Sequence, residues 1–337
     1  MMTSKKTTLL LTVSGAILFL CDHAFSQTFP EGTAMVASHG YPNCIRLFNA
    51  TTTVILAPVC GGRVLEYSLN GQNALYTDPQ QDGWMYTPGI RQIDPCGGRF
   101  DIGPEMTIPS HPLLWLGRWE GMITGKRSAR MTSVADSATG VQLIRDFCLD
   151  RVSSRLTCTQ TIKNNSGSVK QYYHWSRTFA EGNGIFISPL NPNSRFPDKY
   201  ITFGPGPVMN YSPAEHPNLM VKDGFLVVSG PLDQPQLALD PYDGWLAYIT
   251  RSNLLFVKKF PMYPDRVYSD MAATTVVLWY YMDQLCELEP MGPRETLRPG
   301  KSASFTEDWW LVHYTYPEDV ADIDCGGIRE MVKRMGR

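Results

Sequence analysis

Charge of one sign is what this sequence most clearly lacks. Its 337 residues carry 30 Lys and Arg against 32 Asp and Glu, a net of −2, which excludes a strongly cationic nucleic-acid binder and an acidic disordered chain. Also missing are the C-x-x-C and H-x-x-x-H spacings of structural zinc sites, the G-x-S-x-G elbow, H-E-x-x-H, a P-loop and a strand-borne dinucleotide fingerprint. No metal, nucleotide or other cofactor is therefore expected. No fixed-period repeat emerges, which disfavours a propeller or solenoid. Long helices are excluded by punctuation: 28 Gly and 25 Pro make 53 breakers, one per about six residues, about half the length of a mean helix.

The one apolar run of note is N-terminal. Lys5 and Lys6 precede a run from Thr8 to Cys21, and Ala24-Phe25-Ser26 places small residues at −3 and −1 before Gln27. That pattern predicts a cleaved secretory signal over residues 1–26. A lipoprotein would use Cys21, but Leu18-Phe19-Leu20 puts a bulky Leu where a small residue should precede a lipidated Cys. Beyond the signal no uninterrupted apolar stretch approaches the roughly 18 residues of a membrane span. The expected product is periplasmic or secreted, with no membrane association after cleavage and no nucleic-acid partner. Removing Lys5, Lys6 and Asp22 leaves 28 basic and 31 acidic residues.

Seven cysteines remain, an odd count that leaves at least one thiol unpaired or intermolecular in an oxidising compartment. Cys148 and Cys158 flank a turn centred on Ser153, and Cys44 and Cys60 flank Thr52. Each pair is read either as opposed on a hairpin and able to bridge, or as two buried free thiols.

Short apolar or alternating segments recur between turn signals almost throughout: Arg63 to Leu69, Val141 to Leu149, Arg155 to Lys163, Gln171 to Phe179, Gly224 to Ser229, Gly244 to Thr250, Leu254 to Phe260, Val276 to Tyr281 and Trp309 to Thr315. With Asn70-Gly71, Asn164 to Gly167, Asp223-Gly224 and Asp243-Gly244 between them, they predict an all-β antiparallel sandwich. Residues 327–335 have helical spacing and predict a short C-terminal helix packed on the outside. No compositional break divides residues 27–337, which are read as a single domain.

Two stretches, 77–119 and 188–218, are rich in Pro, Gly and aromatics and are read as long functional loops. The first carries Arg91, Arg99, Glu105, His111 and Trp115. Arg and Glu bond sugar hydroxyls and a Trp face stacks on a pyranose, so the cluster reads as a binding loop or, more plainly, as ion pairs around a core Trp. His174 shares a strand face with Tyr172 and Ser176, and Glu287 and Glu289 project from one face of their own strand because the strand period is two. Chemistry at an anomeric carbon needs such an acid and such a carboxylate.

Gly61-Gly-Arg-Val-Leu-Glu-Tyr67 followed by Gly71-Gln-Asn-Ala-Leu-Tyr76 resembles the opening of aldose 1-epimerase (galactose mutarotase) relatives. Glu287-Leu-Glu-Pro-Met-Gly-Pro293, Leu297-Arg-Pro-Gly300 and Glu307-Asp-Trp-Trp-Leu311 resemble their closing strands. In order, these motifs span nearly all of residues 27–337, and they look most like a secreted branch of the superfamily. The resemblance implies a large β-supersandwich with a sugar or oligosaccharide on its concave face. It implies a histidine that protonates the ring oxygen, matched by His174, and a glutamate base, matched by Glu287 or Glu289. It also matches His111 to a further histidine and Asp243 to an acidic sugar ligand. The Gly97 to Glu105 segment is no mutarotase signature, so two rivals stay open: a non-catalytic carbohydrate-binding protein, and a polysaccharide lyase or glycosidase.

Overall fold

The computed structural model describes residues 28–90, 96–204 and 208–336. The signal segment 1–26 and Arg91 lie outside the described residues. The rest is all-β: strands make up 46% and helix 7%, in two large antiparallel sheets with one short C-terminal helix.

The larger sheet has 13 strands and the smaller ten. The strands of the larger sheet that matter here lie side by side in the order Arg63–Leu69, Gly98–Gly103, Lys170–Glu181, Leu285–Pro290, Val276–Tyr281 and Gln236–Leu239. In the smaller sheet, Leu254–Lys259 and Leu156–Asn164 flank the long strand Ser302–His313. The main apolar core draws on both sheets and lies between them, with Leu47, Tyr67, Phe100, Phe147, Leu288 and Trp309 among its members. A second cluster sits on the opposite face of the smaller sheet, where Ile328 and Val332 of the helix Cys325–Arg334 meet Ile187, Ala247 and Val257. The expected helix therefore packs on the outside, starting two residues early at a cap where the Asp324 carboxylate accepts from the Gly327 N–H.

Strand spacing is read well where alternation is strong. Arg63–Leu69, Val141–Leu149 and Val276–Tyr281 have the expected bounds. The Asn70-Gly71 turn has both residues at positive φ, 51° and 81°, the conformation a two-residue hairpin demands.

Two expectations are corrected. Residues 98–103 belong to a central strand, not a loop. The glycines at its ends reflect crowding: a Cβ at Gly103 would lie 1.9 Å from Tyr173 Cζ, and one at Gly98 2.7 Å from Trp309. The cysteine pairings also fall by register. Cys158 lies opposite Phe147, and Cys148 opposite Thr157, so a slip of one residue sends the thiols to opposite faces, Cys158 buried and Cys148 exposed. Cys44 and Cys60 are free buried thiols, because Cys60 lies beyond the strand Thr52–Ala57 that pairs with the Cys44 strand.

Candidate functional site

The strand Lys170–Glu181 is buried on both faces and presents different chemistry on each. Tyr172, His174, Ser176 and Thr178 point between the sheets, whereas Trp175 and Arg177 point away from the smaller sheet. On the neighbouring Gly98–Gly103 strand, Asp101 stands opposite Trp175 and Arg99 opposite Arg177. On the other side Phe179 pairs with Glu287. The period of two thus collects Arg99, Asp101, Trp175, Arg177, Glu287 and Glu289 on the outer face of the larger sheet.

Arg177 is the centre of this group. Its Nε and Nη2 donate to the two Glu287 oxygens at 2.6 and 3.0 Å, its guanidinium lies 4.3 Å over the Trp175 ring, and Glu105 and Glu289 each approach to 4.0 Å. The Trp175 indole N–H donates to Glu289 Oε2 at 2.5 Å. Burial would push the Glu287 carboxyl up, but Arg177 more than offsets it and holds the group below the usual carboxylate range. Glu289 moves the other way: burial and the charge of Glu287 raise it far above that range. Their neighbouring carboxyls are thus pushed in opposite directions, Glu287 toward the ionised form and Glu289 toward the neutral one.

Above them lies a cavity of about 220 Å³ lined by Arg99, Asp101, Glu105, His111, Trp115, Trp175 and Arg177. A second, of about 210 Å³, adjoins it through Arg99 and Arg177 and carries Tyr76, Asp78, Trp279 and Tyr281. The rings of Trp279 and Tyr281 lie 5.1 Å apart with an interplanar angle of 31°.

His111 caps the one-turn helix Pro112–Trp115 and enters the first cavity from its edge. Its Nε2 is 2.8 Å from Asp101 Oδ1 and its Nδ1 2.8 Å from the Pro109 carbonyl. Both partners are acceptors, so both ring nitrogens serve as donors in the protonated imidazolium. Burial disfavours that charge, but the bond to Asp101 and its charge prevail and raise the His111 pKa above its ordinary value. Glu105 is raised too, by burial first, although more than half of its side chain is accessible.

Several expected site residues are therefore brought together: Arg99, Glu105, His111 and Trp115 line one cavity, and Glu287 and Glu289 share a face beneath it. Others are not. His174, expected as the general acid, has no accessible surface and lies between Phe100 and Phe305, 5.7 and 5.9 Å from their ring centres. Its Nε2–H donates to the Ala303 carbonyl at 3.1 Å, and Nδ1 has no partner among the described residues. The strand period that gathers the glutamates on the outer face turns His174 into the core. Glu287 and Glu289, expected as bases, are covered by Arg177 and Trp175 and are 0% and 1% exposed. In this geometry Glu287 is bonded to Arg177 by two hydrogen bonds and Glu289 lies 4.0 Å from it. Asp243 is exposed in the turn before the strand Trp245–Ile249 of the smaller sheet and lines neither cavity. Asp101, Trp175 and Arg177 were missed, although alternation from Arg99 and from Glu287 points to their face.

Burial lowers the His174 pKa from 6.5 to about 4. Between those values the unfolded chain binds a proton that the native state does not. The contribution of neutral His174 is therefore complete above pH 6.5 and lost as pH falls to 4, a total of about 3 kcal/mol. Urea unfolding at pH 7.5 and pH 4 should show His174→Leu losing less stability than the wild type by about that amount. Equal losses would refute it.

Compared with models of protein families and with curated proteins, the sequence matches none. Solved structures match over most of the chain. A galactose mutarotase-like protein from Lactobacillus casei superposes with a TM-score of 0.56, at 11% identity over 80% of this chain and 100% of that one. The fold is galactose mutarotase-like. A galactose mutarotase-like protein from Clostridium acetobutylicum gives 0.55 at 12% identity over 83% and 98%. A galactose mutarotase related enzyme from Lactobacillus acidophilus gives 0.55 at 11% over 81% and 98%. Identities this low carry the mutarotase-like fold and leave the activity to the site.

Proposed function

We propose that this is an exported carbohydrate-binding protein that holds a sugar on the outer face of its larger sheet, in the cavity between Arg99, His111, Trp115 and Arg177. The observation that carries the reading is the cavity itself. In a mutarotase-like fold, charged hydrogen-bonding groups and tryptophans converge on one hollow, the combination that grips hydroxyls and a pyranose face. Titrating the chain with neutral and acidic monosaccharides and short oligosaccharides tests it. Saturable binding that is weakened by Trp115→Ala supports the reading, and an absence of binding across the panel sinks it.

A second reading, anomer interconversion of the aldose 1-epimerase kind, is favoured by the shifts of His111 and Glu105. An imidazolium held above its ordinary pKa and an accessible carboxylate held above its own line one cavity, as a general acid and a general base must. In this reading His111 exchanges its bond to Asp101 for one to the ring oxygen and protonates it, while Glu105 takes the anomeric hydroxyl proton, so the ring opens and recloses.

Export rests on residues 1–26. The mature chain should begin at Gln27, read by intact mass or N-terminal sequencing. A species retaining a lipidated Cys21 would replace the soluble form with an anchored one.

A further inference from the structure

Arg99 is 3% exposed, yet among the described residues its Nε and Nη1 find no hydrogen-bond acceptor. Nη1 lies 3.5 Å from Asp101 Oδ2, an ion pair without a bond, and the other Asp101 oxygen already accepts from His111 and from the Ile102 N–H. Two cations, Arg99 and His111, thus share one carboxylate, while Arg177 is matched to Glu287. The Arg99 guanidinium lies over the Trp115 ring, 4.5 Å from its centre. It lines both cavities and stands between them.

A buried guanidinium with unmade bonds is costly, because its donors have left water and gained nothing in return. Arg145 offers a contrast. It also has unpartnered nitrogens, but it donates to the Gly62 and Gly98 carbonyls, stacks on Phe147 and lines neither cavity. Arg99, by contrast, is a lining residue of both cavities. Burial and the neighbouring Arg177 bring the Arg99 pKa down to about 9, a stress that an arriving anion relieves.

We infer that Arg99 is the anchor for an oxyanion of the ligand, so that the sugar bound in this cleft is an acidic one, carrying a carboxylate or a sulfate ester. The planar fork of arginine matches the paired oxygens of either group. The inference rests on the sugar reading for the word sugar, and on Arg99 alone for the charge.

Calorimetric titration of the full chain tests both parts. The probes are glucuronate and galacturonate, glucose and galactose as their neutral parents, glucose 6-sulfate, and inorganic sulfate. The acidic sugars should bind about tenfold or more tightly than the neutral parents, the gain expected of a charged hydrogen bond. Arg99→Gln should bring that ratio to about one, with Arg99→Lys intermediate. The better acidic ligand identifies the oxyanion as carboxylate or sulfate. Because the first comparison uses wild-type protein, a variant that fails to fold does not remove the test. Equal affinity of the wild type for acidic and neutral sugars would overturn the inference and leave the sugar reading standing. Sulfate binding that Arg99→Gln abolishes, with no sugar bound, would support the anchor and overturn the sugar reading. No binding of any probe would overturn both.

Discussion

Replacing Lys258 by methionine should cost about 3–5 kcal/mol of unfolding free energy, the range for removing one partner of a buried ion pair. Lys258 and Glu307 belong to adjacent strands of the smaller sheet and are both fully buried, 3.3 Å apart. The ammonium donates to Ser176, Thr178 and the Leu288 carbonyl of the larger sheet at 2.9, 3.0 and 3.2 Å. Glu307 accepts from Gln160, Ser176 and Trp309 at 3.0, 3.1 and 2.9 Å. All three ammonium protons have an acceptor, and the carboxylate has three donors besides the ammonium 3.3 Å away. Burial pulls the Lys258 pKa below its ordinary value, and losing the cation would leave Glu307 as an uncompensated buried charge. The network joins the sheets directly behind Trp175 and Arg177, so it also fixes the strand that carries the cleft. Urea unfolding at pH 7 reads the loss. The double variant Lys258→Met with Glu307→Gln should recover part of it, because the stranded charge is gone. A loss below about 1 kcal/mol, the size of an ordinary surface pair, would show that the network does not tie the sheets.

If the cleft turns over anomers, His111→Ala should slow the exchange by about 10²–10⁴-fold, the usual contribution of a positioned general acid. Exchange NMR on whichever sugar binds gives the rate directly. The pH profile carries independent information. The acid must be protonated, so activity falls as pH rises through the His111 pKa, which Asp101 holds above 6.5. The base must be ionised, so activity also falls as pH drops through the Glu105 pKa, which burial holds above 4.5. Asp101→Asn should move the alkaline limb to lower pH by removing the charge that stabilises the imidazolium. His174→Leu should leave the profile unchanged, because that ring has no contact with the cleft. A wild-type rate no faster than buffer would make the protein a binder only, and a full rate in His111→Ala would place the acid elsewhere.

The difference between His111 and His174 shows where sequence reasoning reached its limit. Both were visible, and His174 looked the better acid because it lies on a strand and matches the resemblance. Alternation correctly grouped it with Tyr172 and Ser176, and grouped Glu287 with Glu289. It does not say which face of a strand buried on both sides turns toward the second sheet, since apolar and polar residues occupy both. The Gly98–Gly103 strand was hidden for a related reason. Its glycines look like loop residues in the sequence but answer to Tyr173 and Trp309, which lie far away along the chain.

By itself, then, the sequence determined the β class, the strand segments with strong alternation, the Asn70-Gly71 hairpin and the outer C-terminal helix, while resemblance to a known family supplied the mutarotase-like frame. The former depend on periodicity and turn chemistry, which are local. The tertiary structure decided which carboxylate Arg177 pairs with, which histidine meets the cavity, that Glu287 and Glu289 lie buried beneath Arg177, and that Arg99 is left with unpartnered nitrogens. Those properties follow from which face is buried and from what crosses between strands more than a hundred residues apart, and no local pattern records either.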